Sequence, residues 1–275
     1  MPTLKEIKGR IGSVQSTLKI TSAMKLVSSA KLRKAQTAIE NMRPYQQKLQ
    51  EILALAGGIS SFAGMTGESN ASHVIVVAIA SNSSLCGGFN ANAIAKAKEV
   101  LKEHPGATVY SVGRKMADAM RKAGYPSPKD FTALSEHPSY APVSELVDKF
   151  IEDGVDVILV YNHFVSTGKQ VPVAEPLVSG VEEASGSEAK SCDVIIEPSK
   201  KELLEALYPK TLKIKLFAAL LDSAAAEHAA RTVAMQTATD NGEDLLADLT
   251  LQYNKGRQQK ITNEILDLAG GQSRD

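Results

Sequence analysis

The residue types that most often do chemistry are present in this chain, but their spacing does not assemble them. Cys86 stands in Ser81-Asn82-Ser83-Ser84-Leu85-Cys86-Gly87-Gly88-Phe89-Asn90, just after a continuous apolar run. In doubly wound sheets a strand-to-helix turn at that point binds phosphates, and a helix N-terminus there can activate a thiol. The stretch has no GxGxxG, and the chain has no GxxxxGK(S/T). Two adjacent glycines serve a tight turn equally well, and no histidine is placed by sequence as a base, so Cys86 reads as a small semi-buried side chain. His73, His104, His137, His163 and His228 are scattered without ligand spacing. His228 reads as a hydrogen-bonded histidine in a helical seam. Cys192 is too remote from Cys86 in sequence for a CxxC pair. Glu152, Asp153 and Asp156 read as a solvated helix end, and no GxSxG occurs. The expectation is therefore no catalytic residue, no cofactor and no metal.

The elements around these residues are more informative. Alternating steps of three and four from Leu4 reach Ile7, Ile11, Val14, Leu18, Thr21, Lys25, Ser28, Leu32, Ala35, Ile39, Met42, Gln46, Leu49, Leu53 and Ala56. Most seats are apolar and the phase never slips, which is the mark of a coiled-coil seam. As one helix this segment would run roughly 80 Å at ~1.5 Å per residue. Pro44 is expected to kink it and Gly57-Gly58 to end it. The consecutive polar seats Thr21, Lys25 and Ser28 read either as a wet patch or as a stretch facing something other than the partner helix.

A second seam lies at the other end: Ile214, Phe217, Leu221, Ala224, His228, Arg231, Met235, Ala238, Gly242, Leu245 and Leu249. It is expected to shift face through Tyr253, turn polar over 255–260, and resume at Ile261, Ile265 and Leu268. Two such helices at opposite chain ends satisfy one another by pairing antiparallel. Between them the pattern changes. Val74–Ala80 reads as a strand buried on both faces, followed by helix 91–102, strand 108–112, helices 116–122 and 144–151, and strand 156–164. A turn at 166–169 leads into 170–178, whose Pro172 and Pro176 suit an edge strand. A polar stretch at 180–191 reads as a loop, and 193–197 as a last short strand. The fold class is α/β: a long antiparallel coiled coil of the N- and C-terminal helices (1–57 and 205–275) plus a central Rossmann-like, mostly parallel α/β domain (70–200).

Composition narrows the function classes. There is no Trp and aromatics make up 5%, which disfavours an aromatic-lined pocket or a base-stacking surface. No run approaches the ~20 apolar residues of a membrane span, and the N-terminus has no signal core, so a cytosolic chain is expected. Net charge is zero, yet residues 1–56 carry ten Lys/Arg against three acids. A basic first helix implies an acidic partner, which leaves protein, nucleic acid or lipid headgroups open. Charges spread around that helix and an acidic middle segment count against nucleic acid. A narrow seam with few aromatics counts against direct membrane insertion.

Three segments resemble the gamma subunit of the F-type ATP synthase, the central rotor shaft of its F1 sector. They are Lys5-Glu6-Ile7 with 19–32; Leu85-Cys86-Gly87-Gly88-Phe89-Asn90; and Ala229-Ala230-Arg231 through Asn241 with Tyr253-Asn254-Lys255, Arg257-Gln258 and Ile261-Thr262-Asn263-Glu264. The resemblance implies a non-catalytic, torque-transmitting shaft inside a ring of three alpha and three beta subunits, which hold the nucleotides. It implies a middle domain bound to the epsilon subunit and the c-subunit ring, at the cytoplasmic face of a bacterial membrane. It implies that an exposed patch at Thr21, Met24, Lys25 and Ser28 faces the alpha/beta ring, together with Arg231, Arg257, Gln258, Thr262 and Glu264. The chain departs from the family pattern at Ser81-Asn82-Ser83-Ser84, where Ser-Asp-(Arg/Lys)-Gly is usual, so the resemblance implies no fixed role here for that charged pair. Thr232 replaces a frequent Met, and Gly256 a more usual Ala, at a helix cost of about 1 kcal/mol. There is no redox insert of the chloroplast type.

Overall fold

In the computed structural model, residues 3–55, 73–177, 196–197 and 199–271 are described. The expectations at Ala56, Gly57-Gly58, the 180–191 loop, Cys192 and most of the 193–197 strand lie outside them; residues 196 and 197 themselves are not in a strand. The first element is helix α1 (Leu4–Leu55), continuous through Pro44. Its start carries a capping box: Glu6 accepts from the Thr3 backbone N–H at 2.9 Å, and the Glu6 N–H donates to Thr3 Oγ1 at 3.3 Å. The last is helix α6 (Lys200–Gly271), continuous through Pro209.

Between them the chain alternates strands and helices. The order is β1 (Val74–Ile79), α2 (Phe89–Glu103), β2 (Thr108–Val112), α3 (Arg114–Lys122), a short α4 (Thr132–Glu136), α5 (Tyr140–Glu152), β3 (Asp156–Ser166) and β4 (Lys169–Pro176). The sheet runs β2-β1-β3-β4. β1 is parallel to both neighbours, with Val77 opposite Tyr110 and Leu159, and β4 is antiparallel to β3. Pro172 and Pro176 do sit on an edge strand, where their missing N–H groups cost no ladder bond.

Strand alternation decides the layers. Ile75, Val77 and Ile79 point to one face, where α5 and the first half of α6 supply Val143, Val147, Phe150, Leu212 and Leu216. Val76, Ala78 and Ala80 point to the other, against Ala93, Ala97 and Leu101 of α2 and Met116 and Met120 of α3. Both faces of β1 are thus covered, which is why that segment is apolar throughout. Gly113 turns β2 into α3 at φ 94°, and a Cβ there would stand 2.1 Å from the Ala80 carbonyl oxygen. No other residue fits that turn.

Two compact units result: residues 1–28 with 232–275, and residues 29–231. Both long helices contribute to each. In the smaller unit α1 and α6 pair antiparallel: Leu4 faces Gly256, Leu18 faces Gly242, and Thr21 faces Thr239, so partner numbers add to 260. In the larger unit Leu32 packs on Ala225 and Ala229, and Leu53 on Leu204.

Candidate interaction surfaces and the 81–90 loop

Every described seat of the α1 seam, from Leu4 to Leu53, is buried or half-buried. The α6 seam differs in phase from the expectation. Beyond Met235 it runs through Thr239, Gly242, Leu246, Leu249, Tyr253 and Gly256. Thr239 is 9% exposed while Leu245, expected inside, is 49% exposed. No change of face occurs at Tyr253, since 249, 253 and 256 continue the same alternation. Nor does the seam resume at Ile261 and Ile265, which are exposed. The register explains this: partners adding to 260 leave α6 residues past 259 with no facing seat on α1, and Lys260, Ile261 and Glu264 only flank its first turn in an open groove.

The residues expected to face the ring divide into three groups, exposed, half-buried and buried. Arg257, Gln258, Thr262 and Glu264 are exposed on α6, with Thr262 Oγ1 donating to the Gln258 carbonyl at 3.0 Å and Lys260 3.6 Å from Glu264. Arg257 and Lys260 line a shallow groove with Lys5, Lys8 and Glu264, four cations against one carboxylate, an excess of positive charge suited to an acidic surface. Met24 and Lys25 are half-buried. Thr21 and Ser28, by contrast, are buried seats and not an exposed patch. Thr239 Oγ1 donates to Thr21 Oγ1 at 3.0 Å, so a polar seat on one helix meets a polar seat on the other. The wet-patch and other-partner readings both give way there to a hydrogen bond inside the seam. Exposed near these seats are Ile20, Leu26 and Val27 on α1 and Val233 on α6, with Leu251 exposed farther along α6. These large apolar residues off the heptad seats were missed from sequence, and their off-seat position was the available signal.

Arg231 is likewise interior to its unit. Its Nη1 donates to Glu227 at 2.7 Å and its Nη2 to Ser83 Oγ at 2.9 Å. Burial pushes the Glu227 carboxyl up, and the adjacent Arg231 and Lys31 oppose that shift. One turn away, burial first and then the Arg231 and Lys31 charges push His228 down to about 4. It is a neutral imidazole at pH 7.

The loop after β1 is the place where a doubly wound sheet takes its ligand, at the C-terminal ends of β1 and β3 where the strand order reverses. Here that crevice is filled from within the chain. Cys86 and Phe89 pack on Ala226 and Ala230 of α6 with Phe164 beside them. Asn162 of β3 donates to the Phe89 carbonyl at 3.1 Å. Ser81 Oγ and Asn90 close the turn, with Asn90 Nδ2 3.1 Å from Cys86 Sγ. The thiol is buried. The tight-turn reading holds, and the turn is a joint against α6.

A cavity of about 460 Å³ lies in the same unit between α1, the β3–β4 edge and α6, lined by Arg43, Tyr161, His163, Glu175, Lys215 and Asp222 among others. Its charges answer one another. His163 Nδ1 pairs with Asp222, whose carboxyl is raised by burial and pulled back by that imidazole. Lys215, lowered by burial, donates to the Pro176 carbonyl at 2.6 Å. Such an arrangement suits a charged joint better than a reaction centre.

Known proteins share this architecture over its whole length. A family model described as ATP synthase matches residues 3–273. The ATP synthase gamma chain of Phocaeicola vulgatus is 46% identical, covering 98% of this chain and 99% of its own. That of Christiangramia forsetii is 43% identical, covering 98% of both. Among solved structures, a chain of the Euglena gracilis mitochondrial ATP synthase (OSCP/F1/c-ring, rotational state 3) superposes with a TM-score of 0.71 at 22% identity. It covers 98% of this chain and 93% of that one, and at that identity the likeness concerns the fold. With curated relatives matched end to end and the fold shared, the chain belongs to the ATP synthase gamma chain family.

Proposed function

We propose that this chain is the central-stalk rotor subunit of a proton-translocating F-type ATP synthase. In this reading it turns with a c-subunit ring, and its asymmetric coiled coil drives the beta subunits through their nucleotide-binding states. The observation that carries the proposal is the end-to-end match to gamma chains at 46% identity. The antiparallel seam supports it mechanically, because two helices twisted together resist torsion better than one. The filled crevice at residues 81–90 supports a chain that does no catalysis of its own, with nucleotides on the alpha and beta subunits. Among the described residues no helix is long and apolar enough to cross a membrane. A peripheral position at the cytoplasmic face, with epsilon as the further partner, is part of the proposal. So is the division into a shaft (1–57 and 205–275) and an α/β domain (70–200). The ring-facing set is proposed as Met24, Lys25, Arg257, Gln258, Thr262 and Glu264, with the buried Thr21 and Ser28 supporting Met24 and Lys25 from the seam; Arg231, turned onto Ser83, is left out of it.

Reconstitution tests this. The chain is mixed with alpha and beta subunits from the same source, and complex size and ATPase activity are measured. A complex of about three alpha, three beta and one of this chain, with multi-site turnover that drops in the double variant Arg257→Ala, Gln258→Ala, is the expected result. Failure of folded subunits to co-assemble would overturn the reading.

A further inference from the structure

Hydrogen bonds to four elements hold the 81–90 loop in place, through backbone groups of α3 and α4 and side chains of β3 and α6. Asn82 Oδ1 accepts from the Arg114 backbone N–H at 3.0 Å, and Asn82 Nδ2 donates to the Thr132 carbonyl at 3.0 Å. Asn162 of β3 holds the Phe89 carbonyl. These bonds bind the loop to its own α/β layers. The polar tie to α6 is of a different kind: Arg231 reaches Ser83 Oγ with one arm while Glu227 holds the other. The side chains of that pair retain only 8% and 11% of their exposure.

A buried ion pair is a weak stability device, because desolvation offsets most of its attraction. Its planar, forked geometry is a good aiming device. Glu227 sits one turn below Arg231 on α6 and fixes the guanidinium plane, which leaves Nη2 pointed at the loop. The apolar part of the same contact consists of Cys86 and Phe89 against Ala226 and Ala230. Alanine faces offer little relief for side chains to lodge against, so dispersion contacts hold the loop close without resisting a slide along or around the helix. A directional bond supplies that resistance. The Ser83 hydroxyl oxygen accepts the bond that this aimed guanidinium gives to the loop.

We propose that Ser83 is a positioning residue for torque transfer: the point at which the α/β domain is keyed to α6, with Arg231 as the key and Glu227 as its guide. The proposal rests on the rotor reading above. When the domain is driven from one side and α6 is loaded from the other, the Ser83–Arg231 bond prevents slip at the alanine face. It acts through the geometry of the joint and touches no nucleotide.

The test uses the complete synthase in sealed membrane vesicles, built with the full chain as wild type, Ser83→Ala, Ser83→Thr and Glu227→Gln. ATP hydrolysis and ATP-driven proton uptake are measured on the same vesicles, and the ratio of protons moved to ATP hydrolysed is the readout. Ser83→Ala is expected to lower that ratio, Ser83→Thr to restore it, and Glu227→Gln to lower it by loosening the aim. Amide exchange over residues 83–90 should quicken about tenfold in Ser83→Ala, the change expected on losing a hydrogen bond to a charged group. A merely structural serine would reduce the amount of assembled complex and leave the ratio alone. An unchanged ratio in Ser83→Ala beside a pumping wild type would overturn this proposal and spare the rotor reading. Equal defects in Ala and Thr variants would overturn it too, by pointing to packing. A wild-type chain that never assembles would remove the rotor reading itself, and this proposal with it.

Discussion

Leu85 is the least comfortable residue in the described chain. It is the one non-glycine residue there with positive φ, at 66°, and its side chain is 59% exposed, so burial returns little for the strain. The left-handed region costs an L-residue about 1–2 kcal/mol, part of which glycine gives back through its greater freedom when unfolded. Leu85→Gly is therefore expected to stabilise the isolated chain by about 1 kcal/mol, read as a higher urea midpoint at unchanged slope. A lower midpoint would show that the leucine packs usefully. His228 supports a second prediction. Its folded value is depressed to about 4, below the ordinary 6.5, so the unfolded chain binds the extra proton. Its contribution is fully present above pH 6.5 and is lost as pH falls from there through about 4. Glu227 and Asp222, both raised by burial, work in the opposite sense on acidification. The His228 share is isolated by comparing wild type with His228→Gln: their stability difference should shrink from pH 7 to pH 4, and a difference flat with pH would refute the assignment. At this scale the sequence was legible for what residues are and less so for where they point. Arg231 and Ser83 lie far apart in the chain, and no local spacing links a helix-borne guanidinium to a loop hydroxyl.

At the scale of elements, the two seams show why periodicity succeeded on one helix and slipped on the other. In α1 apolar residues also stand off the seats, at Ile20, Leu26, Val27 and Ile52, but the seats from Leu4 to Leu18 and from Leu32 to Met42 are apolar without a break, and these two runs fix one phase of three and four. In α6 Leu245 and Leu246 are adjacent, and the true seam passes through Thr239, Gly242 and Gly256, which carry no hydrophobic signal. The glycines are there for close approach. A Cβ on Gly242 would stand 2.7 Å from Leu18 Cδ2 and 3.3 Å from its Cγ, whereas one on Gly256 would stand 3.1 Å from Leu4 Cδ2 with the Cγ at 3.8 Å. Alanine gains about 1 kcal/mol over glycine in a helix interior. At 256 only a terminal methyl of a side chain in the first turn of α1 must give way. Gly256→Ala is thus expected to raise the melting temperature of the coil, followed by circular dichroism at 222 nm (roughly the helix signal). Gly242→Ala should lower it, because Leu18 must be displaced from mid-seam. The same sign for both variants would mean that helix spacing does not govern these positions. The strands were legible because β1, covered on both faces, reads as an unbroken apolar run, while α4 is a single turn too short for any period to register.

For the whole molecule, the two units invest their apolar residues differently. The larger has a sheet covered on both faces, with Val76, Val77, Leu159 and Val147 wholly buried. The smaller has a single seam: Ile7, Met235 and Leu249 are buried, the seats between them are half-buried or polar, and Ile20, Leu26, Leu251, Ile265 and Leu266 lie exposed. Two helices with no third layer gain little beyond their own hydrogen bonds, so local opening should be easy there. In the isolated chain, amides of 4–28 and 232–267 are expected to exchange well before those of 75–79 and 157–161. Truncation after Glu264 should leave the melting temperature nearly unaltered, since the groove beside Leu4, Lys5 and Lys8 reaches no further along α6 than Glu264. Bound in its alpha/beta ring, the small unit should gain protection while the sheet does not change, because a ring would cover the exposed leucines and isoleucines that the seam leaves outside. Uniform exchange across both units of the free chain would contradict this, since it would require the coil to be as stable alone as the sheet. A shaft that stiffens only when housed would follow from placing apolar residues off the seats, where they serve the partner at the expense of the free chain.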